Sequence, residues 1–373
     1  MAFSYWESNE WLEDVDLLVV GGGIVGLSAA FRAREMHPEW RILVVEADPF
    51  GGGGSSRNAG FTCFGSATEL MQDRKTLGDH AALELVRQRW NGLQKLRATF
   101  GDLALGHQAS GSIELFPSFG QTTAPSPSEL ADLNSWIAPA LGVPDAFANV
   151  PVQNFSQLAE EAGTTAVVSR LEGMLDTGKM NRAFRTRAYA LGIDVLHGMR
   201  VHALRCESDN VSVTVGVGPD RQTEITARRV IVATNAFGRE LLGKCDVQPA
   251  INHVLVTEPM DDFDFPHTVH MDAGYLYARP VGNRMLIGGG RHWGDDDSTT
   301  VKKLKDTLHA LWPATKNAGI SHQWTGVLGV GENRSPIVRE VQPQVVAAVR
   351  LGGMGVAIGM EIGRLAAEKF PTN

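Results

Sequence analysis

Three glycines and one glutamate near the start of the chain have the types and spacing needed to bind a dinucleotide. Gly21, Gly23 and Gly26 follow one apolar run, and Glu46 ends the next. Gly21 permits a tight turn, Gly23 lets the backbone approach a pyrophosphate, and Gly26 lets a helix pack closely against the strand. Unpaired N–H groups at the start of that helix would face the phosphates. Glu46 is placed to accept hydrogen bonds from both ribose hydroxyls.

The segments before and after this turn have the sequence patterns of the strands and the helix that would position it. Residues 17–20 and 41–46 are apolar and read as strands, and a stretch rich in small residues between them reads as a helix. The same order recurs at the end, where a strand over 345–351 meets a glycine turn at 352–355 and a helix that reaches about residue 369. A second helix N-terminus provides a second anchoring point for a polar ligand.

Between these two units the sequence alternates helical and strand patterns. Apolar spacing predicts helices over 83–100 and 179–190, and Ser128 is a plausible cap for a further helix. A two-residue turn at Gly282-Asn283 predicts a hairpin. The predicted strands are 111–116, 193–196, 201–206, 211–217, 224–227, 230–233, 275–280 and 284–287.

Length and composition restrict the class of protein. At 373 residues the chain exceeds the usual size of one core, so we expect two domains. The net charge of −8 argues against nucleic acid or an anionic membrane as a partner, and no apolar run is long enough for a membrane span. Cys63, Cys206 and Cys245 are odd in number and far apart, which argues against a disulfide framework or a metal site. We therefore expect a cytoplasmic protein without a signal peptide.

The arrangement of these units favours FAD over NAD. An NAD-dependent dehydrogenase usually shows two mononucleotide-binding halves in close succession, whereas a long insertion interrupts the first unit here. A strand that ends in Ala233-Thr234-Asn235 comes much later, and the second glycine turn closes the chain. Widely separated contacts suit a long ligand held at both ends.

Five motifs carry a resemblance to a known family. They are Gly21-x-Gly23-x-x-Gly26-x-x-x-Ala30, Glu46, Ser56-Arg57-Asn58-Ala59-Gly60, Ala233-Thr234-Asn235 and Gly353-Met354-Gly355. Together they resemble the D-amino-acid oxidase superfamily of FAD-dependent oxidoreductases, which includes glycine oxidase, monomeric sarcosine oxidase and γ-glutamylputrescine oxidoreductase. The similarity runs nearly end to end and is strongest over residues 14–65 and 325–370.

The resemblance implies an α/β fold of two domains. A Rossmann-like FAD-binding domain would be discontinuous and consist of residues 1–75, 165–240 and 325–373. An α+β substrate domain built on an antiparallel sheet would consist of residues 76–164 and 241–324.

The resemblance also implies the contacts of the cofactor. The loop 55–60 would lie against the pyrophosphate, ribityl chain and isoalloxazine, Val201 would clamp the adenine, and N–H groups of the closing turn would face the flavin pyrimidine. No Cys or His occupies a position where relatives attach the flavin covalently, so we predict dissociable FAD. The predicted cofactor-binding residues are Gly21, Gly23, Ile24, Val25, Gly26, Glu46, Ala47, Ser55, Ser56, Arg57, Asn58, Ala59, Gly60, Val201, Ala233, Thr234, Asn235, Gly326, Gly353, Met354, Gly355 and Val356.

The reaction implied is oxidation of a C–N bond in an amine or amino acid, by hydride transfer to flavin N5 and hydrolysis of the imine. The protein must orient the C–H bond and supply an uncharged amine, so no strong catalytic base is required. Tyr277, in a Tyr-x-x-Pro motif, matches a substrate-contacting tyrosine of relatives, although a sheet aromatic packed beneath the flavin domain is the alternative. Arg57 is a candidate for a place beside the flavin, and the alternative is an arginine that bonds loop carbonyls.

Four other residues are candidates from their position alone. Tyr275 and Arg279 share the face of Tyr277 and would follow it into the cavity if the strand is regular. Arg279 could neutralise a substrate carboxylate or be a surface charge. Arg291 follows the strand 284–287 and could border the pocket, as could its neighbour His292, although packing is the more usual role of a His beside a Trp.

Two departures from the family pattern keep alternatives open. The arginine with which relatives grip an α-amino acid falls on Leu328, so Arg334 or Arg279 would have to replace it. Sarcosine-oxidase-like members use a lysine near N5 to promote reaction with oxygen, and residues 284–293 contain none. A dehydrogenase with another electron acceptor is therefore an alternative to an oxidase. Two further alternatives are an NAD-dependent dehydrogenase and a protein that retains FAD without turnover. The negative net charge disfavours a tRNA-modifying relative.

Overall fold

The first of two large sheets carries the N-terminal glycine turn. The computed structural model describes residues 3–218 and 221–371. In it, the strands Val15–Val20 and Ile42–Glu46 lie side by side and parallel, and Arg221–Val232 pairs with the other edge of Val15–Val20. Val15–Val20 and Ile42–Glu46 are almost entirely apolar, as is the end of the third strand at residues 230–232, because helices and neighbouring elements cover both faces of the sheet there. Within the described residues the sheet has eight strands, which are Val15–Val20, Ile42–Glu46, Asp194–His197, Arg200–Cys206, Val211–Val217, Arg221–Val232, Ile337–Gln342 and Val345–Val349.

Two helices at opposite ends of the sequence pack against each other on this sheet. We call Ile24–Met36 the opening helix and Gly355–Ala367 the closing helix. A Cβ atom added at Gly359 would lie 2.6 Å from Ile24, and one added at Gly363 would lie 2.5 Å from the Cβ of Ser28. Only glycine permits this approach, which brings the N-termini of both helices to one region.

The second sheet is mainly antiparallel and separates two environments. Successive side chains on a strand point to opposite faces. On one face Leu255, Val269 and Ile287 join a core with the helix Asp297–Leu311, and the other face borders a cavity. Its eight strands in the described part of the chain are Ser112–Leu115, Ala148–Pro151, Thr165–Ser169, Gln248–Thr257, Thr268–Met271, Leu276–Val281, Arg284–Gly289 and Ile320–Val330.

The remaining elements connect or flank these sheets. The other α-helices are Tyr5–Glu7, Gly54–Arg57, Ala67–Leu77, Asp79–Phe100, Asp102–Leu105, Pro127–Leu141, Thr177–Ala190 and Arg239–Leu242. Short π- or 3₁₀-helical turns are Ser8–Leu12, Val152–Asn154, Glu160–Ala162, Asn235–Gly238 and Pro313–Asn317, and Phe61–Thr62 pairs with Gly173–Met174. No helix among residues 3–218 and 221–371 has the length and apolar character needed to cross a bilayer.

Two local predictions were wrong. Ser126, not Ser128, caps the helix Pro127–Leu141, because Ser126 and Glu129 exchange the reciprocal hydrogen bonds of a capping box. The two strands predicted at 224–227 and 230–233 form one long strand, Arg221–Val232, because the intervening residues stay paired.

The division into two domains stays a prediction. The pairing of strands within the two sheets favours slightly different boundaries. Thr165–Ser169 and the whole of Ile320–Val330 pair in the second sheet, although residues 165–169 and 325–330 were assigned to the FAD-binding domain. Boundaries near residues 170 and 331 would follow the pairing of the strands more closely.

Candidate active site

An elongated cavity of about 460 Å³ runs from the first glycine turn to the face of the second sheet that carries Tyr277. Widely separated segments form its wall, and every predicted cofactor-binding residue lies in that wall except Gly26. The stretches of three or more consecutive residues in the wall are 20–25, 45–48, 50–61, 199–201, 233–235, 326–328 and 351–357.

The glycines of the first turn meet backbone and loop atoms at short range. Gly21 has a φ of +108°, a conformation that favours glycine, and a Cβ atom there would lie 2.9 Å from the carbonyl oxygen of Ala233. A Cβ atom at Gly26 would lie 1.9 Å from the carbonyl oxygen of Gly21, so Gly26 serves the packing of strand and helix. A Cβ atom at Gly23 would lie 2.6 Å from Oγ of Ser55. The turn therefore has no room for side chains.

Glu46 and Ser55 complete the surroundings of this turn. Oε2 of Glu46 accepts the N–H of Gly22 at 2.9 Å, and Oε1 accepts the N–H of Asp48 at 2.9 Å. Both bonds hold the carboxylate at the end of its strand, where it lines the cavity. Oγ of Ser55 accepts the N–H of Ile24 at 2.9 Å, so one N–H group at the start of the opening helix is bound by the loop.

The turn before the closing helix is held from behind by Asn235. Oδ1 of Asn235 accepts the N–H groups of Arg350 and Leu351 at 3.0 and 3.3 Å. The guanidinium of Arg350 pairs with Asp246 and donates to the carbonyl of Ser335 at 2.8 Å. The side chain of Asn235, a predicted cofactor-binding residue, is thus engaged in positioning this turn.

The loop 55–60 is braced by its own asparagine and by a strand of the second sheet. The amide of Asn58 donates to the carbonyl of Ser55 at 2.8 Å and accepts the N–H of Gly60 at 2.8 Å. Arg57 donates to the carbonyl of Thr325 at 3.2 Å, and the indole of Trp324 donates to the carbonyl of Arg57 at 3.0 Å. Arg57 therefore bonds a carbonyl, as in the alternative interpretation, while it also lines the cavity.

A row of side chains crosses the second sheet along the cavity. Gly288, Tyr277, His270 and Glu114 lie opposite one another on four neighbouring strands and so share one face. The ring of Tyr277 covers Gly288, where a Cβ atom would lie 2.5 Å from Cε2 of the ring. Burial raises the pKa of the Tyr277 phenol to about 12, so the hydroxyl keeps its proton near neutral pH.

Two arginines of the cavity wall flank the ring of Tyr275. The guanidinium carbon of Arg291 is 4.4 Å from the ring centroid, and that of Arg334 is 5.4 Å away. Arg334 is already paired, with Nη1 at 3.0 Å from Oδ1 of Asp73. Arg291 has no ion-pair partner in the described part of the chain, and burial lowers its pKa. Of the two arginines beside Tyr275, Arg291 is therefore the one that is free to bind an anion.

The separated turns, the glycines without room for side chains and the carboxylate at the strand end fit an extended flavin nucleotide. The sequence model of one protein family, described as FAD dependent oxidoreductase (DAO), matches residues 16–369. This chain belongs to the DAO family. FAD is its cofactor, and the predicted α/β fold with its Rossmann-like domain is confirmed.

Individual members of the DAO family are distant from this chain in sequence. γ-Glutamylputrescine oxidoreductase of Escherichia coli (strain K12) is 26% identical over 95% of this chain and 83% of its own length. L-Proline dehydrogenase from P. horikoshii matches with a TM-score of 0.75 and 17% identity, over 96% of this chain and 93% of the other. Glycine oxidase from Geobacillus kaustophilus matches with a TM-score of 0.70 and 21% identity, over 95% and 93% of the two chains. At these identities the two structures show the shared fold alone.

Arg279, a predicted catalytic residue of this DAO family member, is not in the cavity wall. It shares the face of Tyr277, but the loop at Gly60 covers it, and a Cβ atom at Gly60 would lie 3.0 Å from its Nη2. Burial lowers the pKa of Arg279 to about 10, with the charge of Asp176 acting in the opposite direction. Arg279 therefore supports the loop from below, where a substrate cannot reach it.

His292 and Cys63, two further residues near the predicted site, have surroundings that argue against a catalytic role. Nε2 of His292 lies 3.6 Å from Oδ2 of Asp272, and His292 is outside the cavity wall. Cys63 lines the cavity, but burial and the charges of Glu172 and Glu69 raise the pKa of its thiol. The thiol is thus a weak nucleophile.

Sequence reasoning missed several polar residues of the wall, and Glu69, Asn252 and His270 are among them. His270 alternates with the apolar residues Val269 and Met271, a pattern typical of a strand with one polar face. That pattern could have identified the strand, but its pairing beside Tyr277 follows from the fold alone.

Proposed function

We propose that this protein oxidises the C–N bond of an amine or amino acid that carries a carboxylate. The observation that carries the proposal is Arg291, an unpaired guanidinium in the cavity wall next to Tyr277. A half-buried cation without an ion-pair partner is costly, and a substrate carboxylate would supply the opposite charge and two hydrogen-bond acceptors. The names of the relatives, which refer to γ-glutamylputrescine, proline and glycine, agree with such a substrate.

Each part of the wall would have a distinct task. FAD, when bound, supplies the acceptor of the hydride. Arg291 would hold the carboxylate, and Tyr277 would orient the substrate with a hydroxyl that remains protonated. The turn at Gly353-Met354-Gly355, at the N-terminus of the closing helix, would present N–H groups to the electron-rich edge of the flavin.

We further propose that FAD is held without a covalent bond. Cys63 is the cysteine of the described wall, and its raised pKa keeps it a thiol. Denaturation in acid should therefore release all yellow colour from the polypeptide into the supernatant.

An acceptor other than oxygen is a second candidate, supported by the residues packed beneath the loop 55–60. Ala59, Val254, Val256 and Leu286 form an apolar cluster there. Leu286 belongs to the stretch 284–293, in which sarcosine-oxidase-like members carry the lysine that promotes reaction with oxygen. We propose that the reduced enzyme reacts slowly with air-saturated buffer and quickly with an artificial acceptor such as a phenazine dye, which stopped-flow absorbance would measure.

The decisive experiment is an anaerobic screen of amines and amino acids against the purified yellow protein. Bleaching of the flavin by carboxylated amines, with little bleaching by the same amines without a carboxylate, would support the proposal. A colourless protein that refuses added FAD would contradict it in favour of an NAD-dependent dehydrogenase. A yellow protein that no amine bleaches would instead indicate a binding role without turnover.

A further inference from the structure

His270 is a buried imidazole in the cavity wall with three carboxylates around it. It lines the cavity and is only 4% exposed. Its Nε2 lies 3.3 Å from Oε2 of Glu172, and Glu114 lies opposite it on the neighbouring strand. Glu69, from the helix Ala67–Leu77, is the third carboxylate whose charge acts on the ring. Tyr277 lies opposite on the other neighbouring strand, so the imidazole connects the cavity to this acidic group.

The two oxygens of Glu172 have different surroundings. Oε1 accepts the backbone N–H groups of Phe64 and Gly65 at 2.9 and 3.3 Å, which fixes the carboxylate in place. Oε2 accepts no hydrogen bond of good geometry from the described residues and faces the imidazole. Glu114 is more fully engaged, because Ser66 and Thr68 both donate to it. Glu172 is therefore the carboxylate with an oxygen available to His270.

Oxidation of an amine requires that a proton leave its nitrogen first. An alkyl ammonium group has an ordinary pKa of roughly 10, so the substrate arrives charged at neutral pH, and its lone pair is not available. The phenol of Tyr277 and the thiol of Cys63 both have raised pKa values, so both keep their own protons. Burial raises the pKa of Glu69, but the charges of Arg89 and Arg334 outweigh this and leave it lowered, so Glu69 is a weak base. His270 is the remaining base in this part of the wall.

We propose that His270 accepts the proton of the substrate ammonium and that Glu172 positions and balances the resulting imidazolium. The inference rests on the proposed amine oxidation. The N–H bond of the ammonium breaks, its electron pair stays on nitrogen, and a new N–H bond forms on the imidazole. The free lone pair on nitrogen can then form the C=N bond, and FAD, when bound, would be the oxidant that takes up the electron pair of the breaking C–H bond.

This role sets a direction for the pH dependence. Burial opposes the charge on His270, but Glu172, Glu114 and Glu69 outweigh it and raise the pKa of the imidazole above its ordinary value of 6.5. The ring accepts a proton only in its neutral form, which is populated above that pKa. The rate of anaerobic flavin bleaching should therefore rise with pH through the pKa of His270.

Two substitutions and one control test the inference in the flavin-loaded enzyme. His270→Gln keeps a polar side chain but cannot carry the proton, so bleaching at pH 7 should slow by about a hundredfold, within the range of general base catalysis. Glu172→Gln keeps an oxygen for Phe64 and Gly65 but removes the charge, so the rise in rate should move to lower pH. His253→Gln is the control, because His253 lies on the opposite face, 3.1 Å from Asp297, and should leave the profile unchanged.

A second measurement does not depend on turnover. In flavin-loaded enzyme with isotope-labelled histidine, NMR should detect one imidazole with a pKa above 6.5 that disappears in His270→Gln. The same signal should titrate at lower pH in Glu172→Gln. A structural role alone would lower flavin content or thermal stability in these variants without moving the pH profile.

The outcomes separate this inference from the proposed function. An unchanged pH profile in His270→Gln with wild-type flavin content would overturn the inference alone. If His270→Gln loses its flavin, the Glu172→Gln variant provides the test instead. An unchanged pH profile of bleaching together with an unchanged imidazole pKa in Glu172→Gln would overturn the inference. If no amine or amino acid bleaches the wild-type flavin, the proposed function fails, and the inference fails with it.

Discussion

Oδ1 of Asn235 lies 3.0 Å from the backbone nitrogen of Arg350, and this hydrogen bond joins two strand ends that both have left-handed backbone. The φ angles are 49° at Asn235 and 65° at Arg350. Such angles are uncommon for residues other than glycine, and they persist where surrounding contacts hold them. The contact therefore positions the turn before the closing helix from a strand much earlier in the chain.

Replacement of Asn235 should weaken FAD binding. Asn235→Ala leaves the N–H groups of Arg350 and Leu351 without their acceptor, at a cost of roughly 1–3 kcal/mol, which corresponds to about a 5- to 150-fold higher Kd. Titration of the apoprotein with FAD, followed by quenching of flavin fluorescence, would measure it. Asn235→Asp keeps the acceptor oxygen and should bind nearly normally. Equal Kd values for the wild type and the alanine variant would rule out this role.

Gly23→Val should abolish retention of the cofactor. The added Cβ atom would meet Oγ of Ser55 at 2.6 Å, and the rest of the side chain would occupy the space where the first turn approaches a pyrophosphate. The ratio of flavin to protein absorbance after purification measures retention. Gly319→Val is a matched control, since its Cβ atom would meet only Cγ of Glu258, at 3.4 Å. A fully yellow Gly23→Val protein would refute the assignment of this turn.

Tyr277→Phe should impair turnover more than flavin content. It removes the hydroxyl that would orient the substrate but keeps the ring over Gly288. Because the pKa of the phenol is about 12, loss of its proton should not affect the wild-type rate below roughly pH 11. Steady-state kinetics of both proteins between pH 6 and 10 provide the test. Tyr189→Phe, at a position 88% exposed, is the control, and unchanged kinetics in Tyr277→Phe would remove Tyr277 from the site.

Arg291→Met should discriminate between substrates with and without a carboxylate. Loss of a charge-assisted hydrogen bond costs roughly 1.5–3 kcal/mol, so KM for a carboxylated amine should rise about 10- to 150-fold. An amine of similar size without a carboxylate should keep its KM. Arg284→Met is the control, because Arg284 lies on the preceding strand, Arg284–Gly289, and outside the cavity wall. A similar change in KM for both amines would exclude Arg291 as the carboxylate site.

Arg89 should be essential for stability. It is 1% exposed and lies 3.3 Å from Glu69 and 3.2 Å from Asp73. Arg89→Met leaves the two buried carboxylates with Arg334 as their remaining cation. We expect a loss of about 3–5 kcal/mol in the free energy of unfolding. Urea unfolding at pH 7 would measure it, with Arg87→Met on the exposed side of the same helix as the control. A loss no larger than that of the control would contradict the prediction.

The same cluster has a pH dependence with a definite sign. The pKa of Glu69 is lowered in the folded protein, so its contribution to stability is present above its unfolded pKa, near 4.5, and is lost as the pH falls through the folded value. Asp73, whose pKa burial raises, contributes in the opposite direction. The stabilising contribution of Glu69 depends on Arg89. The difference in the free energy of unfolding between wild type and Arg89→Met should therefore be smaller at pH 3 to 4 than at pH 7. A gap that stays constant with pH would contradict this reasoning.

The sequence by itself determined the glycine turn and the acidic strand end that we predict to bind the cofactor. Gly21, Gly23 and Gly26 act through backbone geometry over a few residues, and Glu46 lies at the end of the next strand along the chain. Local spacing of this kind survives any arrangement of the rest of the fold. The fold class and the family followed from the same motifs, and both are confirmed.

Only the tertiary structure decided which polar side chains line the cavity. Alternation along a strand correctly placed Arg279 on the face of Tyr277, but the loop at Gly60 covers Arg279, while Arg291 stays in the cavity wall. The approach of His270 to Glu172 depends on the order of strands in the second sheet and on a turn far away in sequence. Sequence periodicity specifies the face of an element, whereas the packing of distant elements specifies what covers that face.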